Sequence, residues 1–375
     1  MISEEVKKLQ EEGFTERFGR LYLEHLEKEK ESGLFEEELL TWAHEKGFFA
    51  ETAKLCGLTE DNYQVYMTDY DYYKLWPFNN WTKLWVDDKL TLKQLTADPE
   101  LEGFLPEYYY YTYEGRLIPQ REQPVSSGDH EKDFLALLKK KKEFACKPCN
   151  GMRARGFFRL AYEDGTYTIN RKEATEEEIL LFLREHSNYI FTEYLRPSKE
   201  MAVFGDTIHT LRLVVINESG RNPEIIGGYM RLPNAKAGEI NYIECEEKND
   251  EHYNIFCDFD FEKGEIGEAK KTFSDHIEEL KLHPDTGALI RGTKIKKYDQ
   301  LLEKINFICC KLSTLEYIGF DLGVTESGVK CMEINTFPGT EYMQVFHPMY
   351  ENETVKKFFT KKLEQNRQKI LNKGE

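Results

Sequence analysis

The segment GFDLGVTESGVKCMEIN, residues 319–335, carries three side chains whose oxygens could hold a metal ion. They belong to Asp321, Glu333 and Asn335. If the two carboxylates lie about 5 Å apart on one face, they repel each other by about 3 kcal/mol at an effective dielectric constant of about 20. A divalent cation removes this repulsion, and carboxylate and amide oxygens suit Mg²⁺. The alternative is a salt-bridged hairpin that holds no metal.

A β-hairpin is the element that would bring these side chains together. Residues 326–328 are predicted to form a three-residue loop, because the glycine at its last position readily adopts a positive φ. This register pairs Thr325 with Val329 and places Asp321 opposite Glu333. Strand residues two apart share a face, so the asparagine side chain joins the two carboxylates.

The segment FACKPCNGMRARGFF, residues 144–158, combines glycines with positive charge and could bind phosphate through backbone N–H groups and cationic side chains. Lys147 is predicted to end a strand, and Pro148 to stop its pairing. The overlapping Cys-x-x-Cys pair suggests thiol chemistry as an alternative, but a thioredoxin-type motif has its first cysteine at a helix N-terminus. The predicted phosphate-binding residues of this segment are Lys147, Gly151, Arg153, Arg155 and Gly156.

The rest of the sequence pattern predicts an α+β protein. Helical periodicity between about residues 4 and 60 indicates a helical N-terminal region. Beyond residue 131 helices and strands alternate, and Thr175 with Glu178 forms a predicted capping box. Further predicted elements are paired strands over 209–220 and 223–232, and amphipathic helices over 298–315 and 354–371, the last packed on the body of the protein.

Composition limits the functions that the 375-residue chain could have. Its net charge of −17 would repel nucleic acid, which binds proteins mainly through Lys and Arg. The sequence has no apolar run of about 18 residues and starts without a leader pattern, so we expect a cytoplasmic protein with no membrane span. The cysteines show no metal-ligand spacing, and Cys257, Cys310 and Cys331 are expected to be buried.

Several motifs together resemble one known family. Residues 332–339, MEINTFPG, resemble the Glu-x-Asn-x-x-Pro-Gly signature of ATP-grasp enzymes, and the CKPCNG segment is similar to their Lys-Pro-x-x-Gly motif. With HTLRLVVI, GGYMRLPNAKAGEINY and HPDTGALIRGTKI, these motifs follow the order found in the sugar-transfer-associated ATP-grasp family, over roughly residues 80–345. His209 stands where Asn is usual in that family.

The resemblance implies an ATP-grasp fold, in which two α+β subdomains grip ATP between them, with a helical N-terminal region. The expected division is a helical N-terminal region over 1–80, a pre-ATP-grasp region over 81–143, a small lobe with glycine loop and hinge over 144–200, a large lobe with the metal site over 201–348, and a C-terminal helix over 349–375.

The resemblance also implies ligand roles. Asp321, Glu333 and Asn335 would bind two Mg²⁺ ions that bridge the phosphates of ATP, which Lys89 and Lys147 would contact. Arg212, with Lys147, would be catalytic, because an arginine can stabilise charge on the transferring phosphoryl group. The expected adenine hinge is Glu193, Tyr194 and Leu195, followed by Glu200 at the ribose.

The implied reaction is carboxylate activation: ATP converts a carboxylate to an acyl phosphate, and an amine then displaces phosphate to form an amide. Arg231, Asn234 and Lys236 are the predicted contacts of small-molecule or sugar-linked substrates, whereas His283 is more typical of a structural residue. The alternatives are an ATP-grasp kinase acting on a hydroxyl and a nucleotide-binding protein that serves a glycosyltransferase complex. A homodimer is possible in each case.

Overall fold

The computed structural model describes residues 2–120, 128–151, 155–237 and 252–371. Two antiparallel sheets are surrounded by helices, which confirms the predicted α+β class. In this described part of the chain the α-helices are α1 (Glu4–Glu12), α2 (Glu16–Ser32), α3 (Glu37–Glu45), α4 (Ala50–Leu55), α5 (Asp69–Lys74), α6 (Leu84–Asp87), α7 (Lys89–Leu95), α8 (His130–Lys141), α9 (Glu176–Glu185), α10 (Tyr298–Lys311), α11 (Glu341–Gln344) and α12 (Glu353–Leu371).

The strands of the described residues form two sheets of seven strands each. They are β1 (Tyr108–Tyr113), β2 (Arg116–Pro119), β3 (Glu143–Pro148), β4 (Phe158–Glu163), β5 (Thr166–Ile169), β6 (Lys172–Ala174), β7 (Tyr189–Glu193), β8 (Thr210–Ile216), β9 (Glu224–Leu232), β10 (Asn254–Asp260), β11 (Glu265–Thr272), β12 (Ile277–Leu280), β13 (Tyr317–Thr325) and β14 (Gly328–Asn335).

The first sheet has the order β2-β1-β7-β3-β4-β5-β6, so it joins two strands that precede residue 144 to strands that follow it. Apolar side chains on one face, including Phe144 and Phe191, form a core with side chains of α8 and α9. Helix α9 begins with the predicted capping box of Thr175 and Glu178, which is confirmed. The opposite face carries Lys147, whose Nζ reaches the second sheet.

The second sheet has the order β12-β11-β10-β9-β8-β13-β14, and the predicted pairing of β8 with β9 is confirmed. Helix α10, also predicted, packs Leu301, Ile305 and Ile308 against the apolar side of this sheet. Cys257 and Cys331 are buried there as expected. The prediction for Cys310 is wrong: this thiol is half-buried, and Cys309 is buried instead, because it lies one helical turn after Ile305.

The terminal helices cover one end of the other side of the second sheet. Tyr72 of α5 and Phe358 and Phe359 of α12 share a cluster with Tyr317 of β13, which confirms the helical N-terminal region and the docked C-terminal helix. Along the described residues, every helix is too short or too polar to cross a lipid bilayer.

Two buried carboxylates hold the start of α4 in place. Glu29 accepts hydrogen bonds from the N–H groups of Ala50 at 2.9 Å and Glu51 at 2.8 Å. Asp69 accepts one from the N–H of Phe49 at 2.9 Å. Burial raises the pKa of Asp69 to about 7, so this carboxyl is partly protonated at neutral pH.

Candidate functional site

The β13–β14 hairpin places Asp321 opposite Glu333, as predicted, but by a different route. The predicted three-residue loop is wrong, because Thr325 pairs with Gly328 across a two-residue turn. A β-bulge between residues 321 and 322 then inserts Met332 as an extra residue of β14. The shorter turn and the bulge each shift the register by one residue, and the two shifts cancel at the carboxylates.

Arg212 neutralises the carboxylate of Asp321. The two residues are Cα partners on β8 and β13, and both side chains are 13% exposed. Nε and Nη2 of Arg212 donate to the two carboxylate oxygens, the second at 2.9 Å, and Nη1 donates to the carbonyl of Pro338 at 2.7 Å. Burial alone would raise the pKa of Asp321, but the guanidinium outweighs it and holds this pKa below its usual value.

Asn335 completes the predicted trio of oxygen-bearing side chains. Its Nδ2 donates to Oδ2 of Asp321 at 3.2 Å. Among the described residues, no group of three or more His, Cys, Asp or Glu side chains could hold a metal ion, and the trio itself has only two carboxylates. The oxygens of these residues fit Mg²⁺ if further oxygens come from water or a phosphate ligand.

Two lysines reach the hairpin from outside the second sheet. Lys89, the first residue of α7, places Nζ 3.5 Å from Oε1 of Glu333 and also donates to the carbonyl of Gly151 at 3.2 Å. Lys147 of β3 donates to the carbonyl of Met332, the bulge residue, at 3.3 Å. Burial, assisted by the positive charge of Lys89, lowers the pKa of Lys147 to about 8. The structure thus brings both predicted lysines to the carboxylates.

The glycine loop between β3 and β4 is described in part, and Arg153 lies outside the described residues. Gly156 has φ of +75°, and a Cβ there would lie 2.6 Å from the hydroxyl of Tyr189. The prediction that Pro148 stops strand pairing is only half right. Pro148 has no pairing partner on β4, but it still pairs with Tyr189 of β7. Arg155 is exposed at the end of this loop.

Burial makes the Cys-x-x-Cys pair a poor thiol site. Cys146 lies in the core between the first sheet and its helices, whereas Cys149 packs in the core of the second sheet. Burial raises the pKa of the Cys149 thiol to about 12 and that of Cys146 well above its usual value. Nucleophilic thiols need the opposite shift.

The predicted hinge connects the two sheets. Glu193, at the end of β7, accepts a hydrogen bond from Nζ of Lys330 on β14 at 2.9 Å. Tyr194 is half-buried, and Leu195 is buried next to Gly323 of β13 in the second sheet. Glu200 pairs with Nζ of Lys296 at 2.8 Å.

The predicted substrate contacts separate into two groups. Arg231 of β9 is the Cα partner of Thr210, and its charge lowers the pKa of Asp321, which places it within electrostatic range of the trio. Asn234 instead holds the turn after β9, since its Oδ1 accepts from the backbone N–H groups of Lys236 at 2.9 Å and Ala237 at 3.1 Å. The structure therefore brings Arg231 near the carboxylates and uses Asn234 in a turn, while the substrate contacts of Asn234 and Lys236 stay predictions.

Two buried histidines lie beside this turn. His283 is 1% exposed, and its Nε2 lies 2.9 Å from the carbonyl of Pro233, in agreement with a structural role. His209 is fully buried, and burial lowers its pKa to about 3, so the imidazole is neutral.

One group of polar residues was not predicted. Glu143, at the start of β3, binds the guanidinium groups of Arg159 and Arg196 next to the hinge. The sequence could have shown that Glu143 lies on the same face of β3 as Lys147, because strand residues two apart share a face.

The two facing sheets, joined by a hinge and enclosing lysines and carboxylates, define an ATP-grasp fold. The chain belongs to the sugar-transfer associated ATP-grasp family, whose model matches residues 71–354. No curated protein sequence matches the chain.

The solved structures that resemble the chain are distant. D-alanyl-alanine synthetase A from Vibrio cholerae is 13% identical with a TM-score of 0.43, over 76% of this chain and 66% of that protein. D-alanine–D-alanine ligase from Bacillus anthracis is 12% identical with a TM-score of 0.33, over 74% and 69%. L-amino acid ligase from Bacillus licheniformis is 8% identical with a TM-score of 0.34, over 71% and 44%.

Proposed function

We propose that the protein is an ATP-dependent carboxylate–amine ligase that forms an acyl phosphate and then an amide. The observation that carries this proposal is the meeting of three cations from three separate elements with the carboxylates of one hairpin. Lys89, Lys147 and Arg212 are these cations, and Asp321 and Glu333 are the carboxylates. Such a site suits a triphosphate with its metal ions.

In this proposal the first sheet and the glycine loop hold the nucleotide. Lys89 and Lys147 contact the phosphates, and the hinge backbone from Glu193 to Leu195 reads the adenine. Glu200 faces the ribose after exchanging its present partner, Lys296. Gly151, Arg153, Arg155 and Gly156 cover the phosphates.

Residues of the second sheet would bind the metal ions and act in the phosphoryl transfer. Asp321, Glu333 and Asn335 would hold Mg²⁺, which when bound neutralises phosphate charge and fixes the phosphate oxygens. Arg212 is oriented by the Pro338 carbonyl and would stabilise charge on the phosphoryl group during transfer. Arg231 lies on the neighbouring strand, where it would bind the substrate carboxylate. A role in making sugar-containing surface polymers is supported by the family name alone.

The test measures ADP release from Mg-ATP with a panel of amino acids and uronic acids, with hydroxylamine present to trap an acyl phosphate as a hydroxamate. We expect a hydroxamate with one acid, and its loss in Glu333→Ala but not in Glu303→Ala, which removes an exposed carboxylate on α10. ADP release that depends on an alcohol or sugar, without hydroxamate, would indicate a kinase and contradict the ligase proposal.

A further inference from the structure

The cleft side of the first sheet carries a charged group next to the hinge. Residues 143, 145 and 147 share one face of β3 because they are two positions apart, so Glu143 faces the cleft on the same side as Lys147. Ala145 separates them and is the Cα partner of Arg159 on β4. In the proposed function the phosphates lie at Lys147 and the base lies at the hinge, which begins at Glu193, the Cα partner of Phe144, so the base would lie close to this group.

One carboxylate of this group holds two guanidinium groups. Oε2 of Glu143 accepts from Nε of Arg159 at 2.7 Å and from Nη2 of Arg196 at 2.6 Å, and Oε1 accepts from Nε of Arg196 at 3.2 Å. Arg159 is buried, whereas the side chain of Arg196 is 40% exposed. Because burial weakens solvent screening, the position of Arg159 depends strongly on its carboxylate partners.

Both guanidinium groups contact the ring of the hinge residue Tyr194. Cζ of Arg159 lies 5.4 Å from the ring centroid, and Cζ of Arg196 lies 4.9 Å from it. These distances are typical of cation–π contacts. Glu143 on β3 is thus linked to Tyr194, the residue that follows β7, through two guanidinium groups.

Polar side chains surround this charged group. A cavity of about 350 Å³ borders the group and is lined by Arg159, Glu163, Thr168, Arg171, Arg196 and Asp206. All six lining side chains are polar, and Oγ1 of Thr168 is buried without a hydrogen-bond partner among the described residues. On this side the guanidinium group of Arg159 is held by two carboxylates, those of Glu143 and Glu163.

We propose that Glu143 is a positioning residue for base recognition: through Arg159 and Arg196 it fixes Tyr194 and the hinge backbone that reads the purine. This inference rests on the proposed function, in which the hinge binds adenine. It predicts that disturbing the network weakens contacts to the base and leaves contacts to the phosphates unchanged.

The experiment compares ATP, GTP and inorganic tripolyphosphate by calorimetry with the full chain in the presence of Mg²⁺. In Glu143→Gln we expect ATP to bind about tenfold more weakly, because a charged hydrogen-bond acceptor of two guanidinium groups is lost. Tripolyphosphate should bind as in the wild type, and the preference for ATP over GTP should narrow. Glu163→Gln is the comparison variant: it removes the other carboxylate partner of Arg159 but leaves Glu143 bound to Arg196, so it should weaken ATP binding less than Glu143→Gln does.

Arg196→Gln provides a second variant at a more exposed position, in case Glu143→Gln does not fold. It should show the same selective loss of ATP affinity. Equal weakening of ATP and tripolyphosphate, or no weakening of either, in the folded variant would overturn the inference while leaving nucleotide binding intact. If the wild type binds tripolyphosphate but not ATP, or neither, both the inference and the proposed function are wrong.

Discussion

Nucleotide affinity should fall as the pH rises through the pKa of Lys147. This pKa is about 8 in the free protein, because the side chain is buried and lies near Lys89. Bound phosphate should return it towards the ordinary value of about 10.4. Below pH 8 the lysine is charged in both states, and above pH 8 binding requires uptake of a proton. From these two values the affinity at pH 9 should be about tenfold lower than at pH 7, or about 1.4 kcal/mol.

The assay is calorimetry with a non-hydrolysable ATP analogue at several pH values, for the wild type and for Lys147→Arg. Arginine stays protonated throughout this range, so its profile contains only the titration of the ligand and of other groups. The dissociation constant of the wild type divided by that of Lys147→Arg should therefore rise about tenfold from pH 7 to pH 9. A ratio that stays constant would refute the low pKa of Lys147, whatever the absolute affinities are.

Three further predictions concern stability, backbone space and metal binding. Asp69 has a folded-state pKa of about 7, above its unfolded value of 3.8, so its stabilising contribution is complete below pH 4 and is lost as the pH rises to 7. Urea unfolding should show that Asp69→Asn gains about 2 kcal/mol relative to the wild type between pH 5 and pH 7, and equal pH profiles would contradict this. In Gly319→Ala the new Cβ would lie 2.4 Å from Pro338 and 3.2 Å from Arg212, so we expect a loss of about 1–3 kcal/mol in unfolding free energy together with slower ADP release. Mn²⁺ binding, followed by electron paramagnetic resonance, should be at least about tenfold tighter with the ATP analogue than without it, because Arg212 occupies both oxygens of Asp321 in the free protein; equally tight binding without nucleotide would contradict this.

The hairpin shows which part of the site could be predicted from sequence. The glycine-containing turn was sufficient to predict the hairpin of β13 and β14, because strand pairing is local there, but it was not sufficient to predict the register. The bulge at Met332 could not be predicted, since an extra residue in a strand has no distinctive composition. The correct pairing resulted from two errors of one residue each that cancelled.

Contacts between distant parts of the chain were harder to predict. The partners of Glu143 are 16 and 53 residues away, so local periodicity could not reveal them. The burial of Cys309 and not Cys310 was missed for a simpler reason. Both cysteines lie in an apolar stretch, and that stretch alone does not show which of two adjacent residues faces the sheet. The hydrogen bonds by which Asn234 holds the turn after β9 were not predicted either, and its contact with substrate stays a prediction.

The cationic cluster of Lys89, Lys147 and Arg212 lies inside a chain whose net charge is −17. A polyphosphate approaching from a distance therefore meets repulsion first and attraction only within the cleft. The Debye length shortens from about 30 Å at 0.01 M salt to about 8 Å at 0.15 M, so added salt screens the outer repulsion before it screens the close contacts. The association rate constant of a nucleotide should thus rise with ionic strength, opposite to the usual behaviour of oppositely charged partners.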